Sequence, residues 1–149
     1  HYLDSIYKNC ECVAIDLSPS ALQLVQMLNP EFLVCQGNGT NLPIKSDYFD
    51  VSFSIGLIEH FSRNTAENIV KEKIRITKPG GLVIVMVPWI SSVYNHLFRK
   101  LAGIHWPFGD ENPFHRQELK LFLHHLGLEK IKIFVIYGTT LLGMGFLPK

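Results

Sequence analysis

Between residues 49 and 88 the chain reads FDVSFSIGLIEHFSRNTAENIVKEKIRITKPGGLVIVMVP. Val51, Phe53 and Ile55 alternate with Ser52 and Ser54, the period of two that places apolar side chains on one face of a strand over 49–55. Past Gly56 the period changes. Asn64, with Glu67 three residues on, is a capping-box variant, and Ala66, Ile69, Val70 and Ile74 recur at helical spacing. This predicts a helix running through Ile76 and ended by Lys78-Pro79-Gly80-Gly81. Residues 82–87 then form an unbroken apolar run between glycine and proline, as expected of a strand covered on both faces.

The same alternation extends in both directions. Upstream, Val13 and Ile15 mark a strand over 11–16. Ser18-Pro19 supplies a capping hydroxyl and a proline at the first helical position. Ala21, Leu22, Leu24, Val25 and Leu28 form one helical stripe, which Asn29-Pro30 stops. A strand over 32–35 is broken by Gly37-Asn38-Gly39, and a loop follows over 41–47. Downstream, the sequence predicts a helix over 91–101 and a loop rich in Trp, Pro and Gly over 105–113. A helix over 117–126 turns Leu119, Phe122, Leu123 and Leu126 inward and is closed by Gly127, and a strand over 128–137 pairs with one over 140–146. Strands alternating with helices imply an α/β fold, a doubly wound, Rossmann-like and mainly parallel sheet. Such sheets bind ligands at the carboxyl ends of their strands, here Asp16, residues 36–40, residues 54–60 and the segment from Pro88 onward.

The chain has 149 residues, the size of one domain, and 47% of them are apolar, enough for a core. Only 18% are charged, and 14 Lys plus Arg against 13 Asp plus Glu leave a net charge of +1. That balance argues against a disordered tail or an electrostatic nucleic-acid binder, and favours a small, mostly uncharged partner. The 3 cysteines are too few and odd in number for a disulfide framework, so a reducing, cytoplasmic setting is expected. The longest apolar stretch, 133–147, is interrupted by Gly138, Thr139, Thr140, Gly143 and Gly145, and it falls short of the roughly 20 residues of a membrane span.

Asp16 ends a buried strand one residue before the capping region of a helix. There a carboxylate either accepts hydrogen bonds from the vicinal hydroxyls of a ribose or serves as a second helix-capping acid. In Gln36-Gly37-Asn38-Gly39-Thr40-Asn41-Leu42-Pro43 a short amide between glycines either meets an adenine edge or simply makes a tight turn needing positive φ.

Taken in order, "VAIDLSPSAL", "GNGTNLPIKSDYFDVSFSIGLIEHF" and "ITKPGGLVIVMVP" resemble the class I S-adenosylmethionine-dependent methyltransferases, especially the small-molecule branch. "PFHRQELKLFLHHLGLEKIKI" is more loosely similar to the late helix and sixth strand of that family. The resemblance implies S-adenosyl-L-methionine as cofactor, with Asp16 on its ribose hydroxyls and Leu17 against the adenine. Asn38 stands where the family commonly has Asp contacting the adenine amino group, Gly39 offers its backbone amide to the ring, and Ile55 offers its carbonyl to the methionine portion. The family's first strand and its glycine-rich loop have no counterpart upstream of Asp16. The expectation is therefore a fragment of a longer enzyme: a core over 10–88, a substrate-cover segment over 89–114 and a C-terminal part over 115–149. Two strand edges, near Val13 and Val51, are expected to lack a partner, and the isolated chain is expected to fold poorly and bind cofactor weakly.

Methyl transfer from a sulfonium is an in-line displacement in which positioning does much of the work. His60 is the candidate base for an acceptor that carries a proton, against a plain packing or capping role. Glu59 has the alternative of a solvated acid in a first helical turn. Trp89, Tyr94, His96, Phe98, His105, Trp106, Phe108 and Phe114 suit either an apolar acceptor or an ordinary self-packed cover. Arg99 and Lys100 either meet an acidic substrate or are only solvated. No metal site is expected: Cys10, Cys12 and Cys35 read as small buried hydrophobes, and His124 and His125 diverge on their helix. The expected partner is a small-molecule substrate, with no nucleic acid and no membrane span. The alternatives are a nicotinamide-dependent oxidoreductase, since an acid after the second strand also suits NAD, and a non-catalytic cofactor-binding member of the same fold.

Overall fold

A computed structural model describes residues 10–89, 112–136 and 140–149. The chain forms two compact units, His1–Pro43 and Ile44–Lys149. The expected helix over 91–101 and most of the loop over 105–113 lie outside the described residues.

The first unit holds β1 (Val13–Asp16), α1 (Pro19–Leu28) and β2 (Leu33–Gln36). β1 and β2 pair in parallel, with Asp16 opposite Gln36. α1 begins as its sequence dictates: Ser18 is extended, its hydroxyl accepts from the Ala21 amide at 3.4 Å, and Pro19 stands in the first turn. Of the apolar stripe, however, only Leu22 is buried, and Leu24 and Leu28 stay exposed.

The second unit holds β3 (Phe49–Ile55), a 3₁₀ turn (Ile58–His60), α2 (Arg63–Ile76), β4 (Thr77–Pro88), α3 (Arg116–His125), β5 (Glu129–Ile136) and β6 (Thr140–Phe146). Its sheet runs β3-β4-β6-β5, with β3 and β4 parallel and both pairings of β6 antiparallel. Among the described residues β1 pairs only with β2 and β3 only with β4.

Two departures from the sequence reading have an identifiable cause. α2 starts at Arg63 because Ser62, not Asn64, is its cap, its hydroxyl accepting from the Thr65 amide at 3.3 Å. Glu67 instead pairs with Lys71 one turn on at 2.7 Å. The Lys78-Pro79-Gly80-Gly81 sequence does not separate helix from strand. α2 passes directly into β4 at Thr77, and the four residues form an irregularity inside the strand, where the pairing jumps from Phe49–Thr77 to Val51–Leu82. At this point a Cβ on Gly81 would come within 2.8 Å of the Asp50 carbonyl, so the two backbones approach as only glycine allows.

Register and alternation fix which side chains share a face. Val83, Val85 and Val87 lie on the same face as Ser52 and Ser54 of β3 and as Leu141, Gly143 and Gly145 of β6. α2 and α3 both pack there, and the three valines are fully buried, each contributing about 2 kcal/mol. α3 sits close to the sheet because a Cβ on Gly143 would fall 2.8 Å from Leu123 Cδ1 and 3.1 Å from Leu119 Cδ2. Leu119 and Leu123 are buried, Phe122 and Leu126 half-buried, and Gly127 ends the helix at a φ of +87°. On the opposite face Leu82, Ile84 and Met86 are half-buried and Val51, Phe53 and Ile55 exposed, so coverage of β4 is one-sided among the described residues.

The face beneath α2 is polar at β3. Lys73 donates to Ser54 Oγ at 2.8 Å and to the Ile84 carbonyl at 2.6 Å. Thr77 Oγ1 donates to the Lys73 carbonyl at 2.6 Å and lies within hydrogen-bond distance of Ser52 Oγ, at 2.9 Å. Lys73 is buried, and that burial lowers its pKa from 10.5 to about 7, because removal from water disfavours the ammonium form.

Candidate functional site

In the first unit the chemistry gathers at the carboxyl ends of β1 and β2. Asp16 is the last residue of β1; its carbonyl accepts from the Gly37 amide at 3.0 Å, which fastens the strand end to the bend that follows β2. Gln36 reinforces the junction, its side-chain amide donating to the Leu17 carbonyl at 3.1 Å. The Asp16 side chain is exposed, and one carboxylate oxygen accepts from the Ser18 amide at 2.8 Å. That bond orients the carboxylate in a local turn just before the helix, whose cap is Ser18. Leu17 beside it is 64% exposed, a large apolar side chain presented to solvent next to an acid.

The bend itself is a compact loop. Asn41 donates to the Asn38 carbonyl at 2.9 Å, and Asn38 Oδ1 accepts from both the amide and the hydroxyl of Thr40 at 3.0 Å. Gly37 and Gly39 do not adopt positive φ. Gly37 is required for space instead: a Cβ there would lie 2.8 Å from Pro43 Cδ and 3.3 Å from Ile15 Cγ2. The structure therefore brings Asp16, Leu17, Asn38 and Gly39 to one end of one small sheet. Gln36 and Thr40 belong to the same constellation, and no role for either follows from the sequence, because side-chain bonds to backbone have no periodic signature.

Ile55 and His60 belong to the second unit. Ile55 is the exposed last residue of β3, followed by Gly56, whose amide donates to the Met86 carbonyl at 3.0 Å. His60 is exposed and closes the 3₁₀ turn. Glu59 is no solvated acid: it is 1% exposed, and a Cβ on Gly56 would meet its Oε1 at 3.5 Å. Phe114 is fully buried in the core cluster and Trp89 packs against it. Tyr94, His96, Phe98, Arg99, Lys100, His105, Trp106 and Phe108 lie outside the described residues.

An acid ending one parallel strand beside a glycine-bearing bend after the next lies where open α/β sheets take their ligands, at the carboxyl ends of the strands. The chain belongs to the methyltransferase domain family, whose model matches residues 1–85, more than half of its length. Its fold is that of the class I S-adenosylmethionine-dependent methyltransferases. A Thermotoga maritima methyltransferase described as a possible histamine N-methyltransferase superposes with a TM-score of 0.78 at 19% identity, covering 91% of this chain and 72% of that one. A putative methyltransferase from Haloferax volcanii, solved with the Trm112 methyltransferase activator, superposes at 0.76 with 18% identity, over 99% of this chain and 77% of that one. At these identities the likeness establishes the fold.

Among curated relatives, the chain is 33% identical over 104 residues to a demethylmenaquinone methyltransferase of Paenarthrobacter aurescens, covering 63% of this chain and 39% of that protein. It is 29% identical over 80 residues to a tRNA (carboxymethyluridine(34)-5-O)-methyltransferase of Arabidopsis thaliana, covering 53% of this chain and 19% of that protein. It thus spans well under half the length of these relatives. None of the described helices is long and apolar enough to cross a membrane. Nothing in the fold or among these relatives favours the oxidoreductase alternative.

Proposed function

We propose that this chain carries the nucleoside-binding part of an S-adenosylmethionine-dependent methyltransferase. The observation that carries the reading is the placement of the exposed Asp16 carboxylate at the end of β1, fastened through Gly37 to the loop that bears Asn38. The donor set suits the cofactor. Asp16 keeps an oxygen for the paired hydroxyls of a ribose, and Leu17 gives an apolar surface for a purine. Asn38 carries an amide whose nitrogen makes no hydrogen bond among the described residues. In this role the amino group of an adenine competes with the Thr40 hydroxyl for Asn38 Oδ1, and Gly39 offers its amide to the ring. Ile55 presents its carbonyl to the methionine portion, and His60 takes a proton from the acceptor.

When bound, S-adenosylmethionine supplies a methyl group on a sulfonium, an electrophile that needs alignment more than activation. The acceptor class stays open between small molecules and nucleic acid, since the relatives named above include a quinone-type and a tRNA methyltransferase. The net charge of +1 favours the small molecule.

Saturation-transfer NMR with S-adenosylhomocysteine up to millimolar concentration tests the reading and detects weak binding. The chain is expected to bind, and Asp16→Ala to weaken binding about tenfold or more through the loss of charge-assisted hydrogen bonds. Equal binding by both proteins, or none by the unaltered chain, refutes it.

A further inference from the structure

Arg63 is the first residue of α2, where a cation opposes the helix dipole, so helix stability does not account for it. Its guanidinium is spent on a different part of the chain. Nη1 donates to the Asn112 carbonyl at 2.8 Å, Nη2 to the Pro113 carbonyl at 3.0 Å, and Nε to Glu118 Oε1 at 2.9 Å. The guanidinium carbon lies 3.6 Å from the centre of the Phe114 ring. Asn112 passes this grip on to the turn after β3: its amide donates to the Glu59 carbonyl at 2.6 Å and its side chain to the Phe61 carbonyl at 3.2 Å. Phe114 is bridged to Trp89 at the end of β4. Residues 112–114 are thus held against the carboxyl ends of both parallel strands of this unit, with Arg63 as the common clamp.

We infer that Arg63 is a positioning residue for the turn over 56–61. It fixes Asn112, Asn112 fixes the carbonyls of Glu59 and Phe61, and the turn so held directly follows Ile55 and carries His60. The inference rests on the proposed role of Ile55 at the methionine portion of the cofactor. A planar cation with five donors can engage two carbonyls, a carboxylate and a ring at once, whereas a lysine ammonium cannot, so the conservative change does not restore the clamp.

The test is the dissociation constant of S-adenosylhomocysteine, measured by NMR titration well below the unfolding temperature. Arg63→Ala is expected to raise it about fivefold or more, Arg63→Lys by a similar factor and Asn112→Ala about twofold, although none of these side chains needs to touch the ligand. Ile69→Val, which only trims the core, controls for lost stability and leaves the constant unchanged. If Arg63→Ala fails to fold, the other two variants decide. Wild-type affinity in Arg63→Lys and Asn112→Ala overturns the clamp alone. Failure of the unaltered chain to bind removes the functional reading and the clamp together.

Discussion

Replacing Lys73 by methionine is expected to make the protein more stable, and by an amount that depends on pH in a defined way. In the folded chain the ammonium form is disfavoured by burial and the pKa falls from 10.5 to about 7, while the unfolded chain keeps the ordinary value. Between those values the unfolded state binds a proton that the folded state does not, so stability rises with pH across this window and levels off below pH 7. From the two pKa values, the cost of burying Lys73 is about 4 kcal/mol at pH 7 and about 2 kcal/mol at pH 9. Methionine fills nearly the same volume but leaves Ser54 Oγ and the Ile84 carbonyl without their lysine donor, a loss of about 1 kcal/mol each. Lys73→Met should therefore be about 2 kcal/mol more stable than the parent at pH 7 and about equal to it at pH 9. Urea unfolding followed by circular dichroism at the two pH values gives the difference directly, with ionisations common to both proteins cancelling. A stability difference that does not change between pH 7 and pH 9, or a variant less stable at pH 7, would refute the reasoning.

Gly143→Ala should destabilise by about 1 kcal/mol, because the new Cβ falls 2.8 Å from Leu123 Cδ1 and 3.1 Å from Leu119 Cδ2, and these buried side chains must turn from their packed rotamers to admit it; thermal unfolding measures this, and an unchanged midpoint contradicts the packing described. His60→Gln should slow transfer to a proton-bearing acceptor about a hundredfold in kcat while leaving the affinity for S-adenosylhomocysteine unchanged. An unchanged kcat in the variant eliminates His60 as the base.

The regular elements were legible where periodicity and punctuation agreed. β3 at Phe49–Ile55 and β6 at Thr140–Phe146 have the predicted limits, and Ser18-Pro19 starts α1 as read. Asn64 and Glu67 match the capping motif two residues later, but the Ser62 hydroxyl, nearer the turn, wins the Thr65 amide. Lys73 was also within reach. It falls on the stripe of Ala66, Ile69, Val70 and Ile76, and only its charge argued for solvent. Asp16 and Asn38 stand at the carboxyl ends of neighbouring strands, because parallel pairing of β1 and β2 brings Asp16 opposite Gln36. The clamp by Arg63 was not legible. Its partners lie 49 to 55 residues away in sequence, and no spacing rule links an arginine to distant carbonyls.

Ile76 is helix and Thr77 is strand, with no connecting residue between them. The irregularity over 78–81 follows that junction at once, and there a side chain on Gly81 would meet the Asp50 carbonyl 2.8 Å away and part β3 from β4. The place of Ile55 opposite Met86, five pairs further along the same ladder, thus hangs on one residue that carries no side chain.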